Sequence, residues 1–309
     1  MQKKINYLRV VLTRLCNLSC TYCHKEGAEI SSREVISPEF MVKMLRCFHE
    51  AGIRKFKMMG GEPTLYKALP EVLREISFAD SDISMITNGI FDRDFLERCF
   101  DCGLQRVNVS VHAWSDKNRM RASGMTDDML GTLKSNLQFL ADIGRLSKVN
   151  YVFLNSCGPE ELFDLIGWIS ENQQVLDILN VISTNGKDIH ADFLPFSEII
   201  SLLEKRYSFD EVYVKKNPYN PDSLRLKLTD GGAINLKVFP LNSIQPFKSC
   251  RTCREVSRCS EGIKAIRLTC EGYIQPCLIR TDNRMDIRTW GAKDEDEITQ
   301  LLVKYIEEL

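Results

Sequence analysis

Tyr7-Leu8-Arg9-Val10-Val11-Leu12-Thr13-Arg14-Leu15-Cys16-Asn17-Leu18-Ser19-Cys20-Thr21-Tyr22-Cys23 is the stretch that decides how this chain is read. Its first part, Tyr7 to Leu12, is apolar and rich in β-branched and aromatic residues, and reads as a buried strand. The rest sets three cysteines at C-x3-C-x2-C spacing on the loop leaving that strand. The C-terminal end of a strand is where parallel α/β folds place their chemistry. Three thiolates on one short loop can wrap one corner of a cubane [4Fe–4S] cluster. Four cysteines usually hold such a cluster, so three leave one iron open to another ligand. A structural zinc site is the alternative, with the adjoining His24 as fourth ligand.

The rest of the composition narrows the class. At 309 residues and 44% hydrophobic, the chain can bury a large core. A formal net charge of −1 gives no global electrostatic case for nucleic acid or an anionic membrane. No apolar run approaches the length of a membrane span, and no secretory leader pattern opens the sequence. The 12 cysteines therefore point to metal or cluster ligation in a reducing, cytoplasmic compartment, not to a disulfide scaffold.

Outward from the cysteine loop the pattern is strand, helix, strand, helix. Ser37-Pro38 opens a helix that runs to about Ala51. Strands are expected over Ile53–Met59, Asp82–Ile86, Arg106–Val111, Lys148–Leu154 and 176–183. Helices are expected between them over Ala68–Ile76, Arg93–Cys102, 126–143 and 159–171. Six βα units with short connections predict a parallel sheet with right-handed crossovers: a partial (β/α)6 barrel resembling a TIM barrel, open on one side. The pattern changes near residue 205. A hairpin is expected over 224–228 and 234–238, five cysteines crowd into residues 250–277, and a terminal helix covers 294–309. The expected division is a core barrel over 1–205 and a smaller cluster-binding domain over 206–309.

Several further positions carry chemistry. Gly60-Gly61-Glu62-Pro63 follows a strand; the glycines allow close approach to a ligand, and Glu62 can offer a carboxylate to an ammonium. Thr87, Asn88 and Ser110 lie at the next two strand ends, and Asn150 lies on the fifth strand. Arg9, Lys55, Lys57 and Lys148 are cations inside apolar strand runs, where a charge is costly unless paired. They either turn out toward helices or solvent, or line a site for a phosphorylated or carboxylated substrate. Cys250-x2-Cys253-x5-Cys259, with Cys270 and Cys277, can bind a second cluster or zinc.

The C-x3-C-x2-C loop, with Tyr22 before its last cysteine, and the GGEP turn resemble the radical S-adenosylmethionine superfamily. More narrowly, the opening strand and loop resemble the GTP 3′,8-cyclase family of molybdopterin biosynthesis. So do Lys55 and Lys57 before GGEP, Lys148-Val149-Asn150, and Arg267-Leu268-Thr269-x2-Gly272-x3-Pro276-Cys277. The resemblance implies two [4Fe–4S] clusters and S-adenosyl-L-methionine. Tyr22, Gly60, Gly61, Glu62, Thr87, Asn88, Ser110 and Asn150 would lie about that cofactor. Arg9, Lys55, Lys57, Lys148 and Arg267 would meet an anionic, nucleotide-like small molecule. An external donor such as flavodoxin or ferredoxin would supply an electron, and a 5′-deoxyadenosyl radical would abstract hydrogen. The departures suggest a divergent paralogue. Cys259 adds a fourth thiol to the second group, His112 stands where the family has Asp, Ala265 replaces an arginine, and the sequence closes Glu307-Glu308-Leu309 without the family's Gly-Gly. The C-x2-C-x5-C run is also similar to that of peptide-modifying radical enzymes, which is the second reading. A non-catalytic iron–sulfur carrier or sensor is the third.

Overall fold

The structure, a computed structural model, describes residues 5–27, 35–181, 192–217, 222–237, 247–253, 264–278, 280 and 282–309. Cys259 lies outside the described residues. The chain alternates as expected: β1 (Tyr7–Val11), α1 (Pro38–Glu50), β2 (Lys55–Met59), α2 (Leu69–Glu75), β3 (Asp82–Thr87), α3 (Arg93–Asp101) and β4 (Arg106–Val111). A short helix that the sequence reading did not separate follows, α4 (Lys117–Ser123), and then α5 (Asp127–Asp142), β5 (Leu146–Val152), α6 (Glu160–Glu171) and β6 (Val175–Leu179). Beyond these come α7 (Phe196–Glu204), β7 (Phe209–Lys215), β8 (Ser223–Leu228), β9 (Ala233–Lys237), β10 (Ile266–Thr269), β11 (Tyr273–Gln275), β12 (Met285–Asp286) and α8 (Glu295–Glu308). No helix among the described residues is long and apolar enough to cross a membrane.

Local sequence sets the helix starts. Ser37, Asp92, Asp116, Thr126 and Asp294 each accept a backbone N–H of the first turn they cap. Pro38 occupies a first-turn position of α1, where no N–H is needed.

All the strands join one sheet in the order β12-β11-β10-β1-β2-β3-β4-β5-β6-β9-β8-β7. β1 to β6 pair parallel in sequence order, and the sheet is not closed, so the partial barrel holds. Two strands from after residue 205 extend its parallel part. β9 runs parallel to β6, and β10 runs parallel to β1. The expected hairpin is β8 and β9, antiparallel, with β7 as its outer neighbour.

In-register strand neighbours share a face. One face carries Leu8, Val10, Phe56, Met58, Val107 and Val109, all essentially inaccessible and packed in the core with helix residues such as Leu45 and Phe48. Burying each such side chain contributes about 1.5–3 kcal/mol. The opposite face is polar: Arg267, Arg9, Lys57 and Ser84 are successive neighbours on β10, β1, β2 and β3. The strand cations therefore turn to the inner face of the open barrel, not toward the helices.

A buried ion pair braces the rim between β4 and β5. Arg119 on α4 and Glu161 on α6 are both inaccessible and 2.7 Å apart. Glu161 Oε2 accepts the backbone N–H of Trp114, Ser115 and Asp116 at 2.8–3.1 Å. Arg119 donates to the carbonyls of His112 and Val152, one at the end of each strand. Removing one partner leaves the other charge buried and uncompensated, at a cost of about 3–5 kcal/mol. Glu161→Leu should therefore lower the unfolding free energy by about that amount in chemical denaturation. Glu160→Ala, at the exposed neighbouring carboxylate, should change it by no more than about 0.5 kcal/mol.

Candidate active site

The three cysteines stand at the C-terminal rim of the barrel as free thiols. Cys16 and Cys23 are exposed and Cys20 is half-buried. Main-chain hydrogen bonds fix their loop on two sides. On one side Ser19 N–H donates to Ser123 O at 2.9 Å and Thr21 N–H to Ala122 O at 2.8 Å, both at the end of α4. Gly124 closes that helix with a left-handed φ of 69°, and a Cβ there would lie 2.3 Å from Ser19 Oγ. On the other side Gly61 N–H donates to Thr13 O and Glu62 N–H to Leu15 O, each at 2.7 Å.

That second contact changes the meaning of the glycine pair. A Cβ at Gly60 would meet Thr13 O at 2.5 Å, and one at Gly61 would meet Leu15 O at 2.2 Å. The close approach the glycines permit here is to the backbone of the cysteine loop itself. Glu62 is fully buried beneath it. Its Oε1 accepts Thr64 N–H, Thr64 Oγ1 and Thr87 Oγ1 at 2.7–3.1 Å, and its Oε2 accepts Asn88 N–H at 2.8 Å. Burial pushes its pKa up, and those four bonds pull against the shift. Glu62 thus ties the ends of β2 and β3 together. Asn88 Nδ2 reaches on to Asn17 Oδ1 at 2.6 Å and to Cys16 Sγ at 3.9 Å.

The thiols are close enough to affect one another. Burial, then the charges of Cys23 and Cys16, push Cys20 up to about 12. Burial is also the main cause of the rise at Cys16. Three thiolates here need a cation to offset their repulsion, and a bound metal centre would reverse the shift. Among the described residues, no three His, Cys, Asp or Glu side chains are arranged about a single ion. His24, the fourth ligand a zinc site would need, accepts Glu26 N–H on Nδ1 at 3.0 Å. The soft donor set and its rim position fit an iron–sulfur cluster.

Tyr22 shares a hydrogen bond with His112 Nδ1 at 2.9 Å, joining the cysteine loop to the end of β4. Burial, helped by the Arg119 guanidinium, pushes His112 down to about 4, so its imidazole is neutral. Ser110 and Asn150 are register neighbours on β4 and β5 and half-buried on the inner face.

Of the five cations read from the sequence, three have acids that the sequence reading missed. Arg9 and Arg267 both reach Glu26, at 3.4 and 3.5 Å. Lys148 pairs with Asp177, which Asn235 Nδ2 also contacts at 2.7 Å. Asp177 was legible as the one acid in Val175-Leu176-Asp177-Ile178-Leu179; Glu26 carried no such signal. Lys55 lies 4.7 Å from the centre of the Tyr7 ring. Lys57 differs from all of these. It is 8% exposed, and its ammonium has no acid and no hydrogen-bond acceptor among the described residues. Burial, with Lys148, Lys55, Arg106 and Arg9 around it, drives its pKa well below 10.5. On the same inner face Ser84 Oγ, Asn108 Oδ1 and Arg225 Nε are buried without a hydrogen-bond partner among the described residues.

The second cysteine group is partly described. Cys250 lies within a short 3-10 turn (Lys248–Thr252) and Cys253 caps its end, and Lys248 N–H of that turn donates to Leu309 O at 2.7 Å. Arg280 N–H contacts Cys277 Sγ at 3.5 Å, and the Arg280 side chain hydrogen-bonds Cys253, which brings those two thiols to one place. Cys270 is buried beside Glu271 and Arg14, in different surroundings.

Comparison with known proteins agrees with this geometry. Residues 10–169 match the Radical SAM superfamily. A "Probable GTP 3',8-cyclase" of Methanococcus maripaludis is 28% identical over 310 residues, covering 99% of this chain and 95% of the relative. Its counterpart in Pyrococcus horikoshii is 27% identical, covering 96% and 92%. Among solved structures, Streptococcus suis SuiB bound to S-adenosylmethionine superposes with a TM-score of 0.62 at 14% identity. That match covers 94% of this chain and 64% of SuiB, so the chain spans less than two thirds of that protein.

The glycine contacts give a direct test. Gly61→Ala should displace the cysteine loop and cut iron and sulfide bound per chain after anaerobic reconstitution by more than half. Gly131→Ala, with open space around it in α5, should leave loading unchanged and raise stability by about 0.5–1 kcal/mol.

Proposed function

This chain belongs to the radical SAM superfamily, and from that premise we propose that it is a biosynthetic radical enzyme acting on an anionic, nucleotide-like small molecule. The observation that carries the substrate class is Lys57. A buried lysine ringed by other cations either gives up its proton or takes an anion beside it, and a bound anion would restore its charge. A phosphate or polyphosphate group is the chemistry that fits, and Arg9, Lys55, Lys148 and Arg267 lie on the same inner face to share it. The near full-length likeness to GTP 3′,8-cyclases supports this over the peptide-modifying reading, whose structural likeness extends to the fold alone.

In this reading Cys16, Cys20 and Cys23 hold one [4Fe–4S] cluster, and Cys250, Cys253, Cys259 and Cys277 hold a second. When bound, the first cluster and S-adenosyl-L-methionine supply a hydrogen-abstracting radical, with an electron from a small donor such as a flavodoxin or ferredoxin in the cytoplasm. The chain's own residues hold and orient. Glu62 fixes the rim turn through Thr64, Thr87 and Asn88. The Gly60-Gly61 turn, Tyr22, Ser110 and Asn150 border the cofactor's place above the substrate. The core packed on the outer face of the sheet keeps water out behind it.

Reductive formation of 5′-deoxyadenosine should be stimulated at least tenfold by a nucleoside triphosphate and not by peptides; the reverse would overturn the proposal. Lys57→Met should separate stability from function. It should raise unfolding free energy at neutral pH by about 1 kcal/mol or more, because a buried cation is lost, while weakening nucleotide binding at least tenfold.

The pH dependence has a definite sign. With its folded pKa well below 10.5, Lys57 costs stability at low pH, where the unfolded chain binds the proton better. That cost is relieved as pH rises from the folded value toward 10.5. Wild-type stability should therefore gain on Lys57→Met as pH rises through the alkaline range.

A further inference from the structure

We propose that Glu26 is a built-in anion, a carboxylate that occupies the Arg9–Arg267 site until the substrate's anionic group displaces it. This rests on the reading of the inner face as an anion receptor. Glu26 is not on the barrel; it lies three residues beyond Cys23, yet its side chain is buried against β1 and β10. Among the described residues, the carboxylate there lies near three basic side chains: Arg9 at 3.4 Å, Arg267 at 3.5 Å and His24 at 3.7 Å. Charge-assisted bonds between guanidinium and carboxylate normally close to about 2.7–2.9 Å. These contacts are long, so a better-fitting anion can replace them.

The backbone that delivers Glu26 is strained as well. Lys25 and Glu26 both have left-handed φ, 49° and 51°, with no glycine to ease it. Charge attraction holds the segment in place against that strain. Arg9 is the register neighbour of both Arg267 and Lys57. Adjacent strands are about 4.8 Å apart, so a phosphate chain seated on Lys57 extends directly onto Arg9 and competes with Glu26. Displacement would reach the cysteine loop, because Lys25 N–H donates to Cys23 Sγ at 3.3 Å and Glu26 N–H to His24. Substrate binding and the setting of Cys23 are thereby coupled.

The test uses the full-length, anaerobically reconstituted protein and inorganic tripolyphosphate as probe, by calorimetry and amide hydrogen exchange at fixed ionic strength. A closed population of about 90% lowers apparent affinity about tenfold. E26Q should therefore bind tripolyphosphate about tenfold more tightly than wild type. In wild type, exchange at the Lys25 and Glu26 amides should speed up on adding the probe; in E26Q it should be fast from the start. Equal or weaker binding by E26Q overturns the proposal, since Glu26 would then be positioning the arginines. Tighter binding with no change in exchange also overturns it, since Glu26 would be a fixed neighbouring charge. Should E26Q fold poorly, Glu26→Asp is too short to bridge both arginines and carries the same expectations. Saturable probe binding that Lys57→Met abolishes would show that the receptor reading stands even where the Glu26 result fails. Absence of binding by wild type, E26Q and Glu26→Asp alike would remove the receptor reading and this proposal together.

Discussion

A charge buried in a strand must be answered, and the inner face of this sheet answers its charges unequally. Arg9 and Arg267 share Glu26, Lys148 has Asp177, and Arg106 has Asp82 at 2.8 Å. Lys57 has no acid partner among the described residues, and the charges that act on it most are cations. An ordinary core would not keep such a residue, because an apolar side chain of similar volume would serve better. Ser84 Oγ, Asn108 Oδ1 and Arg225 Nε, without hydrogen-bond partners among the described residues, extend the imbalance across the face. Buried polar atoms without partners are few in folded proteins, and several on one concave face point to a ligand that completes them.

The rim has a different character, held mainly by main-chain hydrogen bonds and buried carboxylates. The cysteine loop hangs between the end of α4 and the Gly60-Gly61-Glu62 turn on main-chain bonds of 2.7–2.9 Å. Behind α4 stands the Arg119–Glu161 pair, and behind the glycine turn stands Glu62 with its four donors. The residues that carry reactive groups are therefore placed by backbone and by buried carboxylates, while their own thiols stay accessible. This division leaves the loop rigid in position and open in chemistry.

The βα order, the open parallel sheet and the cysteine triplet were legible because each depends on local signals: apolar runs, caps and short-range spacing. The strand cations were legible as anomalies, since Arg9 and Lys57 interrupt otherwise apolar runs. Their partners were not. Glu26 sits in a polar loop where an acid is unremarkable, and its contact with Arg267 spans 241 residues. Arg119 and Glu161 carried no signal in the sequence, since a polar residue on a helix is ordinary. Only the packing of α4 against α6 and the strand ends reveals that both are inaccessible. The glycine pair was read as facing a ligand, since sequence can say that a Cβ is unwelcome but not what it would strike.

Register makes the last step. β10 belongs to the second half of the sequence, yet it pairs with β1 so that Arg267 lies beside Arg9, with Glu26 between them. The segment bearing Cys277 leaves the same β10–β11 hairpin. Whatever anion binds Arg9 therefore also touches the strand that positions the second cysteine group. Through Glu26 it touches the tail of the first loop as well. The open edge of the barrel is what allows this, since a closed ring of strands would leave β1 no free edge for a distant segment to pair with. The open edge thus sets β10, whose hairpin leads on to Cys277, beside β1, which leads into the first cysteine loop.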